Sequence, residues 1–251
     1  MSVFTILQRN VKWRFHNSFT IVVTILQPIL WLVLYSAVAS QTMQGTEISN
    51  YTGFILPGLI VLVSFSACCS GGIMNYMMKA DGSFYRILIA PVRRSSIVLG
   101  QLLEAVLCTF LEVFIMGAIS LLFSVEFSVG IGAFLLAILL VFLAAFFISG
   151  MAYGISLILP NEVVYETVMN AIVLPLFFLS TALFPAKGID GILGVIVNLN
   201  PFTHIINALR SLLLNGTLAT SELLFVIILF VIMGSISFGW AIRRLNRETS
   251  L

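Results

Sequence analysis

Six mainly apolar stretches, each long enough to cross a bilayer, constrain this chain more than any other feature. They run approximately over 19–40, 54–77, 97–123, 130–159, 165–184 and 222–242. A helix needs about 20 apolar residues to cross roughly 30 Å of hydrocarbon. The fourth stretch is long enough to tilt or to contain a break. Hydrophobic residues make up 60% of the chain, charged residues 9%, and mean hydropathy is +1.14. A soluble domain carries about 25% charged residues, so the solvent for this chain is lipid. The fold expected over 1–251 is therefore a single all-α, polytopic membrane domain with six transmembrane helices.

The segment between the fifth and sixth stretches, "FPAKGIDGILGVIVNLNPFTHIINALRSLLLNG", is less apolar and is interrupted by Gly188, Gly191, Gly194 and Pro201. It reads as short re-entrant or interfacial helices, which sit at membrane depth only when buried in protein or lining a wet cavity. At the other end, Phe4, Leu7, Val11 and Phe15 recur at helical spacing among Arg9, Lys12, Arg14 and His16. That pattern predicts an amphipathic interfacial helix within 1–17. The charges lie mid-segment and no small-residue cleavage site follows, unlike a signal peptide.

Cations set the orientation. Arg9, Lys12, Arg14, Lys79, Arg86, Arg93, Arg94, Arg243, Arg244 and Arg247 fall on one side of the expected bundle, against Lys187 and Arg210 on the other. The positive-inside rule then places both termini and 79–96 in the cytoplasm, with 41–53 and 185–221 outside. The short "NEVVYE" segment, with Glu162 and Glu166, is expected as a cytoplasmic loop.

Several chemistries are excluded. None of the three lysines, Lys12, Lys79 and Lys187, follows a glycine, so there is no P-loop and no ATP site of that kind. The two histidines, His16 and His204, exclude a multi-histidine metal site, and neither a G-x-S-x-G elbow nor an H-E-x-x-H helix occurs. Cys68, Cys69 and Cys108 lie in apolar runs without metal-ligand spacing and read as small core residues. His204 is expected to cap or hydrogen-bond the segment after Asn200-Pro201, ahead of the lone Arg210.

Glu104 and Glu112 both fall in the third stretch, about 80° apart around a helix. Intramembrane carboxyls face the bundle interior. One reading is a proton or cation pathway, in an ion-coupled secondary transporter. The favoured one is a pair of neutral or hydrogen-bonded carboxyls that fix packing, because no intramembrane Lys or Arg offers a partner. On that reading Glu→Gln at either site retains most transport. Gly150/Gly154 and Ser235/Gly239 have the spacing that permits close helix approach.

Two passages carry a family resemblance. "DGSFYRILIAPVRRSSIVLGQLLE" and "NPFTHIINALRSLLLNG", in this order and with "VLPLFFLSTALFP" between them, resemble the type-2 ABC exporter permeases along essentially the whole chain. The chain departs from the usual pattern in having Asp81 rather than glutamate, and in lacking a tryptophan between Pro185 and Asn200. The resemblance implies a six-span subunit of an ATP-driven exporter in the cell membrane, paired with a second copy and with separate ABC ATPases that hold the ATP and Mg. The chain itself would bind no cofactor or metal and catalyse nothing. The implied cargo is lipophilic or amphiphilic, as in multidrug efflux, polyketide or lipid export; a polysaccharide or lipid-linked glycan is the alternative.

The resemblance also implies that the segment between spans two and three is a coupling helix that docks on the ATPase. The residues fit a short helix there: Asp81 or Ser83 to cap it after Gly82, Phe84 and Ile87 as apolar anchors flanked by Tyr85 and Arg86, and Pro91 to stop it. Arg93 and Arg94 would then anchor the third span at the headgroups. Asn161 and Glu162, in the loop after span four, are the second expected coupling contact.

Overall fold

In the computed structural model the described residues are 3–15, 26–27, 29–34, 37, 51–122, 130–183, 191–216 and 219–248. Their regular structure is helical throughout. Helix α1 spans Val3–Arg14, α2 Tyr51–Ala80, α3 Ser83–Ile89, α4 Arg94–Leu122 and α5 Ile131–Ser156. Then come α6 (Glu162–Phe178), α7 (Gly191–Leu199), α8 (Pro201–Arg210), a π-helical turn (Ser211–Asn215) and α9 (Thr220–Glu248). From the first predicted span, 26–27, 29–34 and 37 are helical; the rest of it, 41–50 and 184–190 lie outside the described residues.

Among the described residues α2, α4, α5 and α9 are long and apolar enough to cross a membrane, and the bent pair α7–α8 makes a fifth if it is taken as one span. The sequence expectation of six full spans is thus met only in part. The difference is clearest at the predicted span 165–184. Helix α6 starts earlier, at Glu162, and ends at Phe178 after 17 residues. Its end unwinds because other groups take over its carbonyls: Asn200 Nδ2 donates to Leu176 O at 2.6 Å and to Leu179 O at 2.8 Å. Arg210 Nη2 donates to Thr181 O at 2.6 Å. Non-helical backbone survives at membrane depth only with such partners.

The "NEVVYE" segment is likewise helix rather than loop from Glu162 onward. Asn161 caps it, its side-chain oxygen accepting from Val164 N at 2.9 Å, as Asn does at helix starts. The predicted span 130–159 ends as helix at Ser156, four residues before Pro160.

The bundle is organised around α5, which packs against both α2 and α9. Gly150 and Gly154 serve this packing: a Cβ at Gly150 would meet Ser237, and one at Gly154 would meet the Trp240 ring. These close approaches bind α5 to α9 within the chain. Gly239, by contrast, has open space around it.

Helix α1 lies along α4, and Gly100 lets Ile6 approach closely. Its buried face is Ile6, Asn10 and Arg14. The apolar stripe expected to mark this helix is on other faces, with Phe4 exposed. Both observations suit a helix in an interface, apolar toward lipid and partly polar toward its own protein.

Candidate functional site

Helix α3 connects α2 to α4 at the end of the bundle that carries α1. The chain leaves α2 through Gly82, whose φ of +74° places it in the left-handed region where a side chain is strained. Gly82, rather than the expected Asp81 or Ser83, is the N-cap of α3, which has no side-chain cap. Asp81 Oδ1 accepts from Ser83 N at 2.8 Å, and hydrogen bonds from Ser83 hold the Asp81 carboxyl below its ordinary range. Pro91 follows the last helical residue by two positions, and Arg94 Nη1 donates to Leu88 O at 3.0 Å, closing the far end.

The two faces of α3 are sharply different. Phe84 is 2% exposed and packs with Ile6, Met74, Met78 and Ile97, while Lys79 lies over its ring at 5.3 Å. Ile87 is half-buried against the same cluster. The expectation that Phe84 and Ile87 are docking anchors needs correction: they fix the helix to its own protein. The outward side chains are Tyr85, Arg86 and Ile89, the last 84% exposed. Ile89 was not singled out from the sequence. A seven-residue helix shows too little periodicity to say which of its apolar residues turn inward.

Beneath α3, α1 is held by a polar ladder. Asn10 Nδ2 donates to Gln101 Oε1 at 3.0 Å, and Gln101 Nε2 donates to Gly71 O at 3.3 Å. One turn further, Arg14 forms a buried ion pair with Glu104, two of its nitrogens facing the two carboxylate oxygens. Its Nη1 donates to Ser70 Oγ at 2.7 Å, and Cys108 Sγ lies 3.4 Å from Glu104 Oε1. Glu104 is 0% exposed. The sequence offers no intramembrane Lys or Arg as a relay partner for these carboxyls; Glu104 instead pairs with Arg14 of the N-terminal helix. Its partner comes from a different helix, 90 residues away, on what reads from sequence as an interfacial segment. The signal was nonetheless available: Asn10/Arg14 and Gln101/Glu104/Cys108 each fall on one helical face.

Glu112, two turns along α4, is placed differently. It is 5% exposed and receives no hydrogen bond from the described residues. It lines a cavity of about 390 Å³ between α2, α4, α6 and the helical residues Gln27 and Trp31. Tyr165 forms part of the wall. Its hydroxyl donates to Cys69 O at 2.9 Å, and its ring occupies the space that a Cβ at Gly72 would need. Neither Tyr165 nor Gly72 was identified from the sequence.

At the opposite end, Asn200 caps α8, its Oδ1 accepting from Phe202 N at 3.0 Å with Pro201 in the first turn. The α7–α8 pair bends there by 76°. His204 Nε2 lies 2.9 Å from Asn198 O. Arg210 Nε donates to Phe54 O at 3.0 Å, and its guanidinium sits 3.9 Å from the Phe54 ring centre. These residues brace the bent pair against α2 and the end of α6. Among the described residues no group of three or more His, Cys, Asp or Glu is arranged to hold a metal ion.

The family profile described as ABC-2 type transporter matches residues 1–214, which takes in α1, α3, the polar ladder, the cavity and the bent pair. The chain belongs to the ABC-2 type transporter family. The matching unit of that family is its membrane (permease) domain, which has no nucleotide-binding site of its own. Among its relatives is a protein named as a transport permease, ycf38, of Cyanophora paradoxa, 29% identical over 224 residues, 85% of this chain and 74% of the relative. The ycf38 protein of Porphyra purpurea is 26% identical, covering 79% of this permease and 68% of itself. ABC transporter G family member 20 of Dictyostelium discoideum is 26% identical over 70% of this permease, but only 24% of that longer protein.

Proposed function

We propose that this permease is one of two identical membrane subunits of an ATP-driven exporter in the cell membrane, and that its cargo is a lipophilic or amphiphilic compound. Separate ABC ATPases bind the ATP and Mg, and α3 is the coupling helix that docks on them. Both termini and α3 face the cytoplasm, following the ten-to-two division of cations.

The observation that carries this reading is the two-faced α3. Phe84 below and the bond from Arg94 to Leu88 O hold it firmly, so a push on the exposed Tyr85 and Ile89 is transmitted to α2, α4 and α1 rather than absorbed by a loose loop. Asn161 and Glu162, at the start of α6, provide the second contact. Secondary transport through a Glu104–Glu112 proton path is less well supported, since Glu104 is already bonded to Arg14.

The test is co-purification with an ABC ATPase followed by ATP-dependent uptake of a fluorescent amphiphile into inverted vesicles. Export without any ATPase would overturn the reading, and uptake of a glycan instead would reassign the cargo. Cysteine labelling of intact cells checks the orientation: Ser221→Cys should react with an impermeant reagent and Ser83→Cys should not.

A further inference from the structure

The cavity beside Glu112 has a chemical character of its own. Its walls are mostly apolar, with Phe65 and Met169 among them, and Trp31 and Gln27 close one side. A volume of about 390 Å³ lies within the range of cavities that hold small organic ligands. One buried carboxylate, Glu112, lines it with no hydrogen bond among the described residues, and a second, Glu166, lines its more exposed part. Among the described residues the cation near Glu112 is Arg14, which is already paired with Glu104 and bonded to Ser70. Among the described residues Glu104 thus has an ion-pair partner and Glu112 has none. Ionisable groups inside a membrane pair with another charge or line a path.

We propose that this cavity binds lipophilic organic cations, with Glu112 as the counter-charge and the apolar walls holding the ligand body. A neutral or anionic amphiphile of the same shape gains nothing from Glu112 and is disfavoured. The inference rests on the export reading only in calling the ligand a cargo; the site itself is testable without ATP.

Tetraphenylphosphonium and tetraphenylborate provide the probe, being nearly identical in shape and opposite in charge. Equilibrium binding of each is measured to the full chain in phosphatidylcholine nanodiscs, without nucleotide. The wild type should bind the phosphonium saturably and more tightly than the borate. Glu112→Gln should weaken the phosphonium by about tenfold or more and leave the borate unchanged or improved. Glu112→Asp should keep the preference, and Glu166→Gln should weaken it by a smaller factor. Equal affinity of the wild type for the two ions, or no saturable phosphonium binding, overturns the proposal, as does a monodisperse Glu112→Gln variant that binds the cation normally. An absent ATPase partner would remove the export reading and leave this binding result standing.

Discussion

Glu104 and Glu112 sit on one helix, two turns apart, and both are buried. The first has a guanidinium on it and a thiol at 3.4 Å. The second lines a cavity with no hydrogen bond from the described residues. Identical side chains on one helix are thus divided between holding α1 in place and lining a cavity. Residue type and depth do not distinguish the two; the neighbouring helix does. At Glu104 the neighbour is α1, which brings Arg14. At Glu112 it is α2 with α6, where Tyr165 and Gly72 shape the wall of a cavity.

Breaking the occupied half of this comparison should have the largest effect. Arg14→Ala leaves Glu104 as an uncompensated buried charge, a loss of about 3–5 kcal/mol. The measurement is the thermal unfolding midpoint of the detergent-solubilised permease. Glu104→Gln should cost a comparable amount, and the double variant Arg14→Ala/Glu104→Ala should recover part of it. If Arg14→Ala unfolds at the wild-type temperature, the ladder does not hold α1.

The outward face of α3 poses the next question. Tyr85→Ala and Ile89→Ala should each weaken association with the ATPase by about 2 kcal/mol or more, as buried interface anchors do, with folding intact. Phe84→Ala should instead lower the unfolding midpoint, because it opens a cavity in the permease itself. Arg93→Ala should change neither. Co-purification yield at matched expression separates the three.

Gly72→Ala tests the wall between the two carboxylates' surroundings. The added methyl group meets the Tyr165 ring, so the ring or α6 must shift, at a cost of about 1–3 kcal/mol. Phosphonium binding should change while the Arg14–Glu104 pair, which Gly72 does not touch, holds α1 as before. Loss of both would show that the clasp and the cavity are one unit.

The smallest expected effect is on stability at the open half. Glu112→Gln removes no hydrogen bond to the described residues and should move the unfolding midpoint far less than Glu104→Gln. The partly exposed pair between Lys79 and Glu248, 3.4 Å apart, should likewise contribute only about 0–1 kcal/mol.

Much of the organisation is legible along the chain because it rests on local physics. Apolar run length marks α2, α4, α5 and α9, since a helix satisfies its own backbone in lipid. Asn161 and Asn200 announce helix starts by residue type, and Gly82 and Pro91 delimit α3. The "NEVVYE" segment was misread because its charges resemble a loop while its Asn is a cap. The short α6 was missed for another reason. The groups that take over its terminal carbonyls come from Asn200 and Arg210, more than 20 residues later.

Composition and spacing by themselves determined that this is a helical membrane chain without a P-loop, with an N-terminal helix and a short helix between α2 and α4. The ABC-2 permease family was legible in its motifs. Only the tertiary structure decided which side of α3 faces outward, that Arg14 is spent on Glu104, and that Glu112 is left facing a cavity. The reason is physical. Helix formation in lipid depends on neighbours three or four residues away, whereas the pairing of a buried charge depends on which helix folds against it. In this chain that partner lies 90 residues away from Glu104.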